Sequence, residues 1–174
     1  ALPISHAKVL QGIRQAATVG FEAVKLNSVI MRGFNDDELV DLLEFGREVG
    51  AEVRFIEYMD VGGATHWSQS EVVAQNEILT QLAAHYGPIE REVGQGAAPA
   101  ARFRLEDGTR FGIVSSVTEP FCGACDRSRL TADGLWYLCL YAQQGIDLKP
   151  LLCEGGDPQV LLERIRAGWT GRKD

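Results

Sequence analysis

The sequence has few cysteines, no long apolar run and no excess of basic residues, and each shortage excludes a class of protein. Four cysteines in 174 residues are too few for the disulfide framework of a small secreted domain. No run reaches the length of a transmembrane helix, and the first residues lack the pattern of a signal peptide. The net charge of −7 argues against nucleic acid or a membrane surface as a partner. We therefore expect a cytoplasmic protein whose cysteines serve a metal or redox function.

The rest of the composition is that of a globular protein able to bury a core without crosslinks. Apolar residues make up 45% of the chain and charged residues 24%. The chain opens at Ala1 without a methionine and stops at Asp174 within a charged, helix-like tail. Both ends therefore predict a piece of a longer protein.

The first part of the chain alternates helices and strands. A helix is predicted at Ser5–Val19, because Ser5 suits an N-cap and Gly20 a stop. Strands are predicted at Ala23–Met31 and Glu52–Met59, on either side of a helix that starts near Asn35 and Glu38 as a capping box. Short connections of this kind predict two parallel neighbouring strands.

Polar side chains share one face of each of these strands. Alternation places Lys25 with Asn27 on the first strand, and Arg54 with Tyr58 on the second. In an α/β barrel this face would be the interior, where charges are costly unless they bind something. A solvated sheet explains the same pattern, and spacing alone does not separate the two interpretations.

The composition changes near Gly62 to hairpins with flanking helices. The pattern predicts a boundary there, with one region at 1–62 and a second at 63–174. Asp107-Gly108 is a strong hairpin signal between alternating segments. Further elements are predicted as helices at Glu71–Tyr86, Leu148–Cys153 and Pro158–Ala167, and as a second hairpin of Arg127–Thr131 with Leu135–Tyr141.

Three cysteines occur together, as Cys122-x-x-Cys125 followed by Cys139, on the two sides of this second hairpin. Thiolates at CxxC spacing bind one metal centre. If Cys153 joins them, structural zinc is the natural interpretation, because zinc favours four ligands. If it does not, an iron–sulfur cluster with one open iron is favoured. A redox-active CxxC and unrelated buried cysteines are weaker alternatives.

Two arginines follow the CxxC motif. Arg127 and Arg129 alternate along the predicted strand, so both are expected on one side. Guanidinium groups bind phosphates bidentately, which points to an anionic ligand near the metal. Surface arginines facing acidic residues are the alternative on this acidic chain.

Three stretches together resemble one family. They are FCGACDRSRLTADG with the later cysteine, VKLNSVIMRGFND and EVRFIEYMDVG. They are similar, in the same order, to the MoaA family of radical-SAM GTP 3′,8-cyclases, which act in molybdenum cofactor biosynthesis. The resemblance implies an α/β fold, with the last βα units of an incomplete TIM-like barrel followed by a hairpin-rich α+β cluster domain.

The resemblance also implies roles for single residues. Cys122, Cys125 and Cys139 would hold a C-terminal [4Fe–4S] cluster that binds GTP, the implied substrate. The implied GTP contacts are Arg127, Arg129, Arg54 and Lys25, and the implied S-adenosylmethionine contacts are Asn27, Ile56 and Met59. A downstream pterin-synthesis protein is the implied partner, and a homo-oligomer is expected.

The sequence departs from the family at several positions. It contains no CxxxCxxC motif, so S-adenosylmethionine and the second cluster are expected only in a complete enzyme. Asp126 stands where the family usually has Asn, and Cys153 is unexpected. The chain alone is therefore expected to be inactive, and a four-cysteine, zinc-stabilised binding module remains the alternative.

Overall fold

The chain forms two compact units. The computed structural model describes residues 5–60, 66–93, 98–120, 122, 125–153 and 155–172. Unit 1 comprises Ala1–Met59 with Trp67–Pro120, and unit 2 comprises Asp60–His66 with Phe121–Asp174. Within the described ranges, no helix is both long and apolar enough to cross a membrane.

Unit 1 is a mixed sheet with helices. Strands β1 and β2 are parallel and in register, so that Asn27 pairs with Arg54, which confirms the predicted βαβ arrangement. Strand β5 lies parallel on the other side of β2, and the order is β1-β2-β5-β4-β3. The elements are α1 (His6–Thr18), β1 (Val24–Ile30), α2 (Leu39–Val49), β2 (Ala51–Glu57), α3 (Gln75–Tyr86), β3 (Ile89–Arg91), β4 (Ala101–Leu105) and β5 (Arg110–Val114).

The core of unit 1 lies between the helices and one face of this sheet. Val53 and Phe55 of β2 are fully buried, together with Phe111 of β5, whose ring meets Phe55 edge to face. Helix α2 approaches β2 closely because Gly46 has no side chain, and an added Cβ would collide with Val53 Cγ2. Leu39 and Leu43 of α2 then complete the core.

A buried carboxylate links the end of β2 to two other segments. Glu57 is fully buried, and its Oε1 accepts the backbone N–H of Gln75, the first residue of α3, at 3.0 Å. Its Oε2 accepts the backbone N–H groups of Val117 and Thr118 at 2.9 and 2.8 Å. The carboxylate thereby accepts hydrogen bonds from backbone N–H groups that have no acceptor within a helix or the sheet.

Unit 2 is a small antiparallel sheet packed by a C-terminal helix. Its described elements are β6 (Arg129–Leu130), β7 (Leu135–Tyr137), β8 (Ile146–Asp147), α4 (Lys149–Cys153) and α5 (Pro158–Thr170). The β6–β7 hairpin turns at Gly134, which has a φ of 90° and donates its N–H to the Thr131 carbonyl. This is the turn that the Asp133-Gly134 pair predicts.

Two sequence expectations differ from the structure. Asn35 does not cap α2, whose N-cap is Glu38; instead its amide bonds to the backbone of Met31 and Val29. The second hairpin is shorter than predicted, because only two register pairs join β6 to β7. The expected boundary at Gly62 falls outside the described residues, and the strands before and after it share one sheet.

The α/β class is confirmed as a mixed α/β structure with a mixed sheet. Strands β3, β4 and β5, predicted to belong to a separate domain, extend the sheet of β1 and β2. The incomplete barrel remains a proposal. The assignment of residues 1–62 to that barrel and of residues 63–174 to a cluster domain also remains a proposal.

Candidate cysteine and arginine site

The four cysteines of unit 2 are free thiols. Cys122 and Cys139 are exposed, whereas Cys125 is half-buried. The Cys125 N–H donates to the Cys122 carbonyl at 3.1 Å, which closes the tight turn expected of a CxxC motif. Cys125 and Cys139 lie outside the paired residues of β6 and β7, so the hairpin alone does not fix their separation.

Two cysteine sulfur atoms already accept N–H donors. Arg127 Nη2 lies 3.7 Å from Cys125 Sγ, and the backbone N–H of Tyr141 lies 3.4 Å from Cys139 Sγ. Hydrogen bonding from Arg172, then from the backbone and side chain of Arg127, lowers the pKa of the Cys125 thiol. Such donors favour the thiolate, which is the form that binds metals.

Cys122 and Cys139 share a neighbour in Tyr141. Partial burial first, and then the charges of Cys122, Asp60 and Cys139, raise the pKa of the Tyr141 phenol.

The thiols are not assembled into a closed centre. Within the part of the chain that the structure describes, no three His, Cys, Asp or Glu side chains form a group that could hold a metal ion. Cys153, at the end of α4, is exposed and belongs to no such described group either. Cysteine thiolates are chemically suited to bind a metal. That three of these thiolates bind the same metal centre is a proposal.

Arg127 and Arg129 differ in their surroundings. Arg127 precedes β6 and is half-buried against Cys125, whereas Arg129 is the first residue of β6 and is exposed. The expectation that both alternate along one strand is therefore wrong, because the strand begins only at Arg129. Trp136, interpreted as hairpin packing, is buried and stacks on Trp169 of α5.

The candidate residues of unit 1 lie on the sheet face opposite the core. Lys25 and Asn27 of β1 are exposed, and Arg54 of β2 lies beside Asn27 in the register. Ile56 follows two residues later on the same face of β2, and Met59 lies beyond the end of the strand. In this chain the polar face meets solvent at β1, as the solvated interpretation expects.

Arg54 already has an acidic partner. Its Nε donates to Glu52 Oε1 at 2.8 Å, with both side chains less than one-fifth exposed. Arg102 of β4 lies 3.7 Å from the other oxygen of Glu52. A phosphate near Arg54 would therefore compete with Glu52 for the same guanidinium group.

The comparison with known protein families decides the assignment. The sequence pattern of the family described as Molybdenum Cofactor Synthesis C matches residues 51–174, which include the three clustered cysteines. The chain belongs to this family. The Molybdenum Cofactor Synthesis C match starts at the first residue of β2 and covers all of unit 2 that the structure describes.

Curated relatives extend the likeness to the N-terminal part of the chain. A protein named GTP 3′,8-cyclase 3 from Mycobacterium bovis is 54% identical over 168 residues, or 97% of this chain and 44% of its own length. GTP 3′,8-cyclase 1 from Mycobacterium tuberculosis is 54% identical over 98% of this chain and 47% of its own length. A GTP 3′,8-cyclase from Aquifex aeolicus is 40% identical over 98% of this chain and 51% of its own length.

These matches confirm the resemblance to GTP 3′,8-cyclases. They also show that the chain spans about half the length of the curated relatives it matches.

Sequence reasoning missed two residues at these sites. Arg172 contacts the Cys125 segment from the end of α5, 45 residues after Arg127. Glu52 was interpreted only as part of a strand, although its carboxylate binds Arg54. The charge of Glu52 and its place on the Arg54 face could have indicated that pair, whereas no local pattern links Arg172 to Cys125.

Proposed function

We propose that this chain is the C-terminal part of a GTP 3′,8-cyclase, which converts GTP to the cyclic pyranopterin precursor in molybdenum cofactor biosynthesis. The support is its family membership and its 54% identity to proteins of that name over nearly all of the chain. Because its 174 residues contain no CxxxCxxC motif, the chain supplies substrate binding and not radical generation.

Cys122, Cys125 and Cys139 are the proposed ligands of a [4Fe–4S] cluster. The observation that carries this proposal is the set of N–H groups directed at Cys125 and Cys139 sulfur, from Arg127 and from the Tyr141 backbone. Such hydrogen bonds orient and tune cluster thiolates. A cluster held by three thiolates supplies an open iron that can bind a substrate atom.

Four basic residues are the proposed contacts to GTP. In unit 2, Arg127 and Arg129 offer guanidinium groups to phosphate oxygens, which they bind as charge-assisted donors. In unit 1, Lys25 and Arg54 offer positive charge on the face opposite the core. The proposed contacts to S-adenosylmethionine in a complete enzyme are Asn27, Ile56 and Met59.

Metal analysis of the anaerobically purified chain tests the cluster. We expect iron and acid-labile sulfide in equal amounts and little zinc, because three thiolates suit a cluster with one open iron. Cys153→Ser should leave the iron content unchanged, whereas Cys125→Ser should abolish it. Stoichiometric zinc that falls in Cys153→Ser would instead support the four-cysteine binding module.

GTP binding tests the arginines independently. Arg127→Ala should weaken GTP binding at least tenfold, since a charge-assisted bond to phosphate is lost. Arg166→Ala is the matched control, because Arg166 is an exposed arginine of α5. Equal affinities of the two variants would contradict the proposal.

The chain alone is expected to form no 5′-deoxyadenosine from S-adenosylmethionine and a reductant. Formation of this product by the purified chain would overturn the assignment of radical generation to another segment. The proposed partners are GTP, a further copy of the chain and a protein of the next step in pterin synthesis.

A further inference from the structure

The C-terminal end of α5 is fixed against the hairpin of unit 2. Gly168 permits this approach, since a Cβ there would lie 2.6 Å from Trp136 Cζ3. Trp169 stacks on Trp136 with ring centroids 6.4 Å apart and planes 18° apart. Packing on the buried indole of Trp136 thus fixes the position of the C-terminal end of α5, and with it the position of the residues that follow.

Arg172 extends from this fixed end to the segment that carries the first cysteine pair. Its Nη1 donates to the Arg127 carbonyl at 3.1 Å, and its side chain helps to lower the pKa of the Cys125 thiol. Its guanidinium carbon lies 5.2 Å from the ring centroid of Trp169. A hydrogen bond and a cation–π contact therefore define one orientation of the side chain.

We propose that Arg172 is a positioning residue of the iron–sulfur site, a proposal that rests on the function proposed above. Its Nη1 holds the Arg127 carbonyl while the rest of the planar guanidinium group places positive charge near the Cys125–Arg127 segment, an arrangement that a lysine cannot reproduce in the same way. Arg172 thereby fixes the Cys125–Arg127 segment, although it lies 45 residues after Arg127 in the sequence.

Two consequences follow from this contact. Positive charge near a ligand sulfur favours the reduced, more negative state of an iron–sulfur cluster, so Arg172 would raise the reduction potential of a cluster bound by these cysteines. Arg172 also restrains the Arg127 backbone, and through it the guanidinium group proposed to bind GTP.

Three variants of the anaerobically purified chain test the inference. Arg172→Gln removes the charge and part of the fork, and Arg172→Lys keeps only the charge. Arg166→Gln is the matched control, because Arg166 is an exposed arginine of α5. The measurements are iron and sulfide content, the midpoint potential from a mediated dithionite titration, and the Kd for GTP.

We expect all three variants to retain iron and sulfide. Arg172→Gln should show a more negative midpoint potential and a Kd for GTP raised about tenfold. Arg172→Lys should recover the potential and not the affinity, because charge is restored without the planar guanidinium group that holds the Arg127 carbonyl.

The possible failures are distinguishable. A wild-type chain that contains no iron and sulfide overturns the cluster and this inference together. A cluster whose potential and GTP affinity are the same in Arg172→Gln as in Arg166→Gln overturns the role of Arg172 alone. Loss of GTP affinity without a change in potential contradicts the effect of the Arg172 charge on the cluster.

Discussion

Single residues show most clearly what sequence patterns reveal and what they miss. Alternation along EVRFIEYM correctly separates Arg54 from the core residues Val53 and Phe55. The same alternation puts Glu57 on the core face without indicating why a carboxylate is tolerated there. Its donors come from Gln75 and Val117, which are 18 and 60 residues away, and such partners are set by the tertiary fold.

Replacement of Glu57 by Gln should destabilise unit 1. The amide would direct an N–H₂ group at backbone donors that now meet a carboxylate oxygen, and one buried donor would remain unsatisfied. We expect the free energy of unfolding to fall by about 2 kcal/mol, measured by urea denaturation.

Glu90→Gln is the control for this substitution. Glu90 is an exposed carboxylate paired with Arg104 at 2.6 Å, and exposed ion pairs contribute little to stability. Equal midpoints for the two variants would show that the buried hydrogen bonds of Glu57 have no net effect.

At the scale of elements, helix existence was predictable and helix packing was not. The apolar stripe of α2 and the stop at Gly50 follow from local chemistry, and Gly50 has the expected φ of 69°. The contact of α5 with Trp136 does not follow, because it depends on a glycine whose neighbour lies 32 residues earlier.

Gly168→Ala measures this packing. The new methyl group would collide with Trp136, and overpacking should exceed the gain in helix propensity, for a net loss of about 1–2 kcal/mol. Gly12→Ala in α1 is the matched control, since a Cβ there has open space and should raise stability by about 0.5–1 kcal/mol. Tryptophan fluorescence during urea unfolding reports both, and a stabilised Gly168→Ala variant would refute the close contact.

A second prediction concerns the link between α2 and α3. The Tyr86 hydroxyl donates to Glu44 Oε1 at 2.7 Å. Burial and then this hydrogen bond raise the pKa of Tyr86 to about 12, from an ordinary value of 10.0. The neutral phenol is thus favoured by folding, and the stability it contributes is present below pH 10.0 and is lost as pH rises towards 12.

Tyr86→Phe should remove that part of the pH dependence. We expect the wild-type chain to lose stability between these two pH values more steeply than the variant does. Tyr137→Phe in β7 provides a control for the general effect of alkaline pH. Parallel pH profiles for the wild-type chain and Tyr86→Phe would contradict the assignment.

At the scale of the whole molecule, the order of the sheet leaves β1 at an edge. An unpaired strand edge is a template for pairing with another chain. Val29 of β1 is 48% exposed, which adds apolar surface near that edge. We therefore predict that the chain self-associates in a concentration-dependent way.

Light scattering tests the association. Val29→Lys should shift the chain towards the monomer, because a charge near an edge strand opposes pairing. Val93→Lys, at a valine that is 96% exposed and lies outside β1, should have little effect. A wild-type chain that stays monomeric at all concentrations would count against the prediction.

The mixed sheet of unit 1 has a consequence for how this family can be divided. The family match begins at Ala51, the first residue of β2, yet β2 lies between β1 and β5. A protein cut there would lose β1 and α2, and with them Ile30, Leu39 and Leu43 of the core. Truncation of this chain at Ala51 would therefore remove part of the core of unit 1 and expose a central strand of its sheet.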